Sequence, residues 1–274
     1  MSEPWKAWSQ VEISDPRFES GHLRHLTFHS DALGRRGDVS VFVPPGGDLL
    51  SGLPLVLLLH GVFGSHWSWA YKGGAHQVAM AMIEAGTLRP LMIAMPSDGL
   101  WGQGSGYLPH GGSDYERWIV DEVPGCLREN LPGLSDTSPQ FIAGLSMGGY
   151  GALRLGAKYP ARFQGISAHS AYTHFDQTAL FVDTPLAQYR EIDEGEKDVY
   201  TWLARHREKI PPLRFDCGRD DHLLLETNRQ LQHWCREQGI PHRYEEFPGG
   251  HDWRYWHARI KDTLHFFNSL LTNR

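Results

Sequence analysis

Two periodicities divide the chain. His22–Ser30 and Asp38–Val43 alternate apolar and polar residues, the period of strands with one wet face. Leu55–Leu59 is an unbroken aliphatic run, as in a strand covered on both faces. Leu91–Ala94, Phe141–Ala143, Gly165–Ala168 and Leu213–Phe215 read the same way. Between them the spacing predicts helices around His76–Glu84, Asp114–Glu129, Met147–Lys158 and Leu223–Gln238. Near the end, Trp256, Ile260, Leu264, Phe267 and Leu271 recur at steps of three or four, the stripe of an amphipathic helix.

This alternation predicts an α/β fold, with a mainly parallel central sheet flanked by helices and the two leading strands as an antiparallel edge. No repeat or linker interrupts residues 1–274, so a single domain is expected. Residues 169–212 break the rhythm. They hold Tyr172, Phe175, Leu180, Phe181 and Tyr189 and a helical patch at Val199–Ile210 before the next strand begins. In a doubly wound sheet such an excursion sits at the carboxyl ends of the strands, where ligands bind, and this one is expected to be a partial lid.

Composition removes several function classes. With 41% hydrophobic and 21% charged residues the chain is globular. Its net charge of −6 argues against a nucleic-acid partner. The longest apolar run, Leu53–Leu59, is far short of the roughly 20 residues of a membrane helix. The start, Met1-Ser2-Glu3-Pro4-Trp5-Lys6, lacks the basic and apolar stretches of a secretory signal. Cys126, Cys217 and Cys235 are odd in number and have no CxxC spacing, so a reducing cytoplasm is the expected compartment. A homo-oligomer stays open.

The chemistry concentrates in Phe141-Ile-Ala-Gly-Leu-Ser-Met-Gly-Gly-Tyr-Gly-Ala152. Gly144-x-Ser146-x-Gly148 falls directly after an apolar strand and directly before a helix. A serine at such a turn is held in a strained backbone with its hydroxyl exposed. The following helix aims free N–H groups and a positive dipole end at developing negative charge. A serine nucleophile needs a base, and the base needs a carboxylate to orient it. Downstream, Asp216-Cys-Gly-Arg-Asp-Asp-His222 follows the apolar run Leu213–Phe215, and Pro248-Gly-Gly-His-Asp-Trp253 follows the strand Tyr244–Phe247. His251 is the expected base. Gly218-x-x-Asp221 favours Asp221 as the acid, with Asp216 and Asp220 as alternatives. Two N–H donors should hold the oxyanion: Met147, next to the serine, and Val62 in the loop His60-Gly-Val-Phe-Gly64. His60 itself is expected to organise that loop.

These landmarks resemble the esterase D-like branch of the α/β-hydrolases, which includes S-formylglutathione hydrolases, tributyrin-type carboxylesterases, feruloyl esterases and mycolyl transferases. His60-Gly61, Gly144-Leu-Ser-Met-Gly-Gly-Tyr-Gly151, Cys217-Gly-x-x-Asp221 and Pro248-Gly-Gly-His-Asp-Trp253 carry the resemblance, from about Pro54 onward. It implies an α/β-hydrolase fold with Ser146 as nucleophile, His251 as base, Asp221 as its orienter, and Val62 with Met147 as oxyanion donors. It implies a small-molecule ester as substrate and no cofactor. One departure is that Val62-Phe63 is followed by Gly64-Ser65, where the S-formylglutathione hydrolases typically carry Thr-Cys. A general carboxylesterase fits these residues best. An acyltransferase, thioesterase or perhydrolase would use the same triad, and a binding module on a hydrolase fold is the reading without catalysis.

The sixteen histidines show neither HExxH nor Cys/His spacing, so no metal site is expected. His66, His110, His169, His174 and His222 fall in irregular segments and read as solvated or hydrogen-bonding residues. Trp67, Trp69, Trp101, Tyr107 and Trp253 flank the proposed catalytic loops. Trp101, beyond the Leu91–Ala94 strand, and Trp67 are the candidates for contact with substrate; the alternative is that such aromatics only pack the loops.

Overall fold

A computed structural model describes residues 7–98, 104–183, 189 and 192–271. Its strands are β1 (Trp8–Ile13), β2 (Leu23–Ser30), β3 (Arg35–Phe42), β4 (Leu55–Leu59), β5 (Met92–Pro96), β6 (Pro109–His110), β7 (Ser113–Asp114), β8 (Gln140–Leu145), β9 (Ile166–His169), β10 (Leu213–Gly218) and β11 (His242–Phe247). The helices are α1 (Ser68–Tyr71), α2 (Ala75–Glu84), α3 (Tyr115–Arg117), α4 (Val123–Asn130), α5 (Met147–Lys158), α6 (Glu194–Lys197), α7 (Val199–Arg205), α8 (Leu225–Glu237) and α9 (Trp253–Leu271). A π-helical turn, Trp118–Glu122, joins α3 to α4.

Nine strands form one sheet in the order β1-β2-β3-β5-β4-β8-β9-β10-β11. From β5 to β11 the pairings are parallel, and β1, β2 and β3 make an antiparallel wing. The wing therefore has three strands where the sequence pattern predicts two. β1 breaks its alternation at an irregularity between Ser9 and Glu12, with Gln10 at positive φ, which hides it from a period-two reading. Trp8 still docks firmly, because its indole lies where a side chain on Gly125 of α4 would have to go.

The aliphatic run of β4 is buried along its whole length because both its faces are covered. Leu55, Leu57 and Leu59 point into a core shared with α4, α5 and α8. Val56 and Leu58 point into the opposite core, closed by Ala75, Ala79 and Met82 of α2 and by Trp256, Ile260, Leu264 and Phe267 of α9. The chain leaves β4 toward β5 on one side and returns through β8 on the other. The carboxyl ends of β4 and β8 thus flank the crevice that opens where strand order reverses. β11 closes the far edge, where Arg243, Glu245 and Glu246 discourage pairing with another sheet.

Candidate active site

Ser146 caps α5 with φ 52° and ψ −119°, a backbone region that only a tightly determined turn imposes on a residue with a Cβ. The surroundings supply that determination. Ser146 N–H donates to His169 O at 2.9 Å, and Tyr150 N–H donates to Ser146 O at 3.0 Å. The glycines on either side are needed for close approach: a Cβ on Gly148 would lie 2.5 Å from His60 O, and one on Gly144 would strike the Gly148 carbonyl.

The structure brings together the three side chains singled out in the sequence. His251 Nε2 lies 3.0 Å from Ser146 Oγ, and His251 Nδ1 lies 2.8 Å from Asp221 Oδ2. Asp221 is 1% exposed, and its other oxygen accepts the N–H groups of Leu223 at 3.2 Å and Leu224 at 3.1 Å. Burial alone would raise the Asp221 carboxyl. The hydrogen bond and charge of His251 and these two amides outweigh it, so Asp221 is held below its ordinary value and stays anionic. The arrangement fixes the proton on Nδ1 and leaves Nε2 free to accept one from the serine.

The alternative acids separate clearly. β10 continues to Gly218 instead of ending at Phe215, so Asp216 still lies within the strand and is wholly buried. It serves a different histidine. Asp216 Oδ2 lies 2.8 Å from His169 Nδ1 and 2.8 Å from Arg214 Nη2, and Oδ1 accepts from Tyr255 OH at 2.7 Å. His169, read from the sequence as an irregular-segment residue, instead ends β9 fully buried. Burial would raise Asp216, but the charges of His169 and Arg214 hold it below its ordinary value. Asp220 Oδ2 accepts only the Gly249 N–H, at 3.1 Å on the exposed side of the loop.

Met147 begins α5, so its N–H is one of the donors a helix start leaves without an intrahelical partner. Val62 lines a cavity of 260 Å³ together with Ser146 and His251. Trp67, Phe63, Leu145, Phe181, Trp253 and Trp256 give that cavity its apolar walls, and Lys72 stands at it as well. Trp101 lies outside the described residues. His60 Nδ1–H donates to Gly61 O at 2.7 Å, and its Nε2 lies 3.5 Å from Asp98 Oδ1 in the loop after β5. Of the aromatics in the excursion, Phe181 stacks on His251 with ring centroids 5.0 Å apart. Phe175 and Tyr189 instead pack against each other at 4.7 Å, and both are buried. Phe63 lies in the loop already singled out in the sequence, whereas Lys72 carries no motif that a sequence reading would pick out.

The sheet, its crossover order and the relay at its carboxyl edge define an α/β-hydrolase fold. Residues 30–267 match the Esterase family model, described as "Putative esterase", and the chain belongs to that family. It is 29% identical over 236 residues to an acetyl esterase of Caldicellulosiruptor saccharolyticus, covering 80% of this chain and 84% of the relative. It is 27% identical over 293 residues to an S-formylglutathione hydrolase of Paracoccus denitrificans, covering 90% and 96%. The fold superposes on a ferulic acid esterase with TM-score 0.78 at 23% identity, covering 95% of this chain and 99% of that one. Among further relatives, this chain spans 28% of the length of a xylanase/feruloyl esterase of Xylanibacter ruminicola and 59% of that of an esterase of Mycobacterium tuberculosis. Among the described residues, no helix is long and apolar enough to cross a membrane.

Proposed function

We propose that the chain is a carboxylesterase that hydrolyses small esters through an acyl-enzyme on Ser146. Ser146 Oγ attacks the ester carbonyl while His251 Nε2 takes its proton. The N–H groups of Val62 and Met147 receive the oxyanion. The resulting imidazolium, balanced by Asp221, protonates the leaving alcohol. A water molecule, deprotonated by the same nitrogen, then releases the acid. The observation that carries the reading is the unbroken relay Asp221–His251–Ser146, at 2.8 and 3.0 Å, opening into an apolar cavity.

The described part of residues 169–212 acts in this reading as a partial cover, with Phe181 over the base and Phe175 and Tyr189 as its anchors; residues 184–188, 190 and 191 of the expected lid lie outside the described residues. The cavity, at the lower end of the size usual for ligand sites, suits short acyl or single-ring groups. The three cysteines are free and buried, in keeping with a reducing compartment such as the cytoplasm. A fluorophosphonate probe should label Ser146, and Ser146→Ala or His251→Ala should each lower turnover about a million-fold, with the double variant scarcely worse. A tenth of wild-type activity surviving in Ser146→Ala would refute the assignment.

A further inference from the structure

We propose that Lys72 selects esters that carry a second, anionic group such as a carboxylate. This deepens the esterase reading and rests on it. Among the described residues that line the cavity around Ser146, Lys72 alone bears a fixed charge; apart from Ser68 and the Ser146–His251 pair, the side chains of the walls are aromatic and aliphatic. An exposed lysine is usually a mobile, solvated group, but this one stands on a clamped turn. Its N–H donates to Ser68 O at 2.9 Å, and Trp69 Nε1 in the same turn donates to Leu59 O at 2.9 Å, which fixes the turn to β4. His257 Nδ1 lies 2.8 Å from Gly73 O, which fixes it to α9. Gly73 has no room for a side chain, since a Cβ there would lie 2.9 Å from Trp69 and 3.0 Å from Trp253.

The ammonium itself lies 5.3 Å from the centroid of the Trp253 ring, and that ring is part of the cavity wall. The cation is thus held at the cavity by its backbone at one end and by the indole at the other. A ring face satisfies the charge without using up the N–H donors, which remain for an anion. With a net charge of −6 the molecule as a whole repels anions, so a local cation at the cavity decides which charged esters can enter.

The test compares matched pairs of esters. One pair places the charge on the acyl side, 4-nitrophenyl hemisuccinate against 4-nitrophenyl butyrate. The other places it on the alcohol side, 4-carboxyphenyl acetate against phenyl acetate. In at least one pair, the ratio of kcat/KM for the charged over the neutral ester should fall about tenfold in Lys72→Met, the scale of one hydrogen bond to a charged group. It should fall further in Lys72→Glu and recover in Lys72→Arg. As a readout that needs no turnover, glutarate should slow fluorophosphonate labelling of the wild type and lose that effect in Lys72→Met. Ratios that stay within twofold in both pairs, with glutarate protection unchanged, would overturn the role of Lys72 and leave the esterase reading intact. Turnover of the neutral esters that survives Ser146→Ala would instead overturn the reading beneath it.

Discussion

Asp221→Asn replaces one oxygen of the relay by an NH2 group and leaves its shape intact. The amide can sit in two ways. If its oxygen keeps the Leu223 and Leu224 N–H groups, its NH2 faces His251 Nδ1 and demands an acceptor there. The imidazole proton then moves to Nε2, the atom that must take the serine proton, and turnover should fall about 10⁴-fold, or about 5 kcal/mol in the barrier. If the amide flips, the tautomer is right but the NH2 opposes two backbone donors. Each donor left without an acceptor costs about 1–3 kcal/mol, so the productive form is a minor one and turnover still falls by at least about 30-fold. The measurement is kcat/KM on an uncharged nitrophenyl ester, with a melting curve to confirm folding. Asp220→Asn, which alters only the contact to Gly249, should stay within about threefold of wild type. A loss smaller than tenfold in Asp221→Asn, or a larger one in Asp220→Asn, would refute the account of the acid.

Three further outcomes follow from the same geometry. Gly148→Ala forces a methyl group against the Leu59 and His60 carbonyls; it should cost about 1–3 kcal/mol of stability and, by shifting Ser146, about 100-fold in kcat, read by melting and steady-state kinetics. Asp216→Asn leaves Arg214 without a buried counter-charge and should cost about 3–5 kcal/mol near neutrality. Because the folded Asp216 carboxyl lies below its ordinary 3.8, its stabilisation is complete above that pH and is lost as pH falls through the folded value. Melts of the two proteins should therefore converge below about pH 3.8, and a gap that stays constant would contradict this. Phe181→Ala should change the kcat/KM ratio of bulky over short esters by roughly 10- to 100-fold, whereas Phe175→Ala should lower the melting temperature and leave that ratio alone.

What the sequence makes legible is what short-range chemistry decides. Gly144-x-Ser146-x-Gly148 works through backbone contacts within a few residues, so its meaning travels with the string itself. The stripe on α9 and the run of β4 are legible because each burial pattern follows from one element meeting one or two neighbours. The acid is harder. Asp216, Asp220 and Asp221 differ only in where β10 stops, and the strand's continuation to Gly218 is set by its pairing with β11, nearly thirty residues away. Lys72 and Phe181 reach the cavity through the packing of a turn on α9 and of a long excursion on the base, and no local pattern records either.

The position of β11 has a consequence for how activity ends under stress. Ser146 sits at the centre of the sheet, while His251 hangs from the loop after an edge strand that has β10 as its one partner. Edge strands with half-exposed side chains open at lower free energy than central ones. Detachment of that margin would free the base on one side, leaving it tethered only through α9, while the middle of the sheet and the strained serine remain in place. Activity is therefore expected to fade as the rim opens, at stresses that leave the central strands paired.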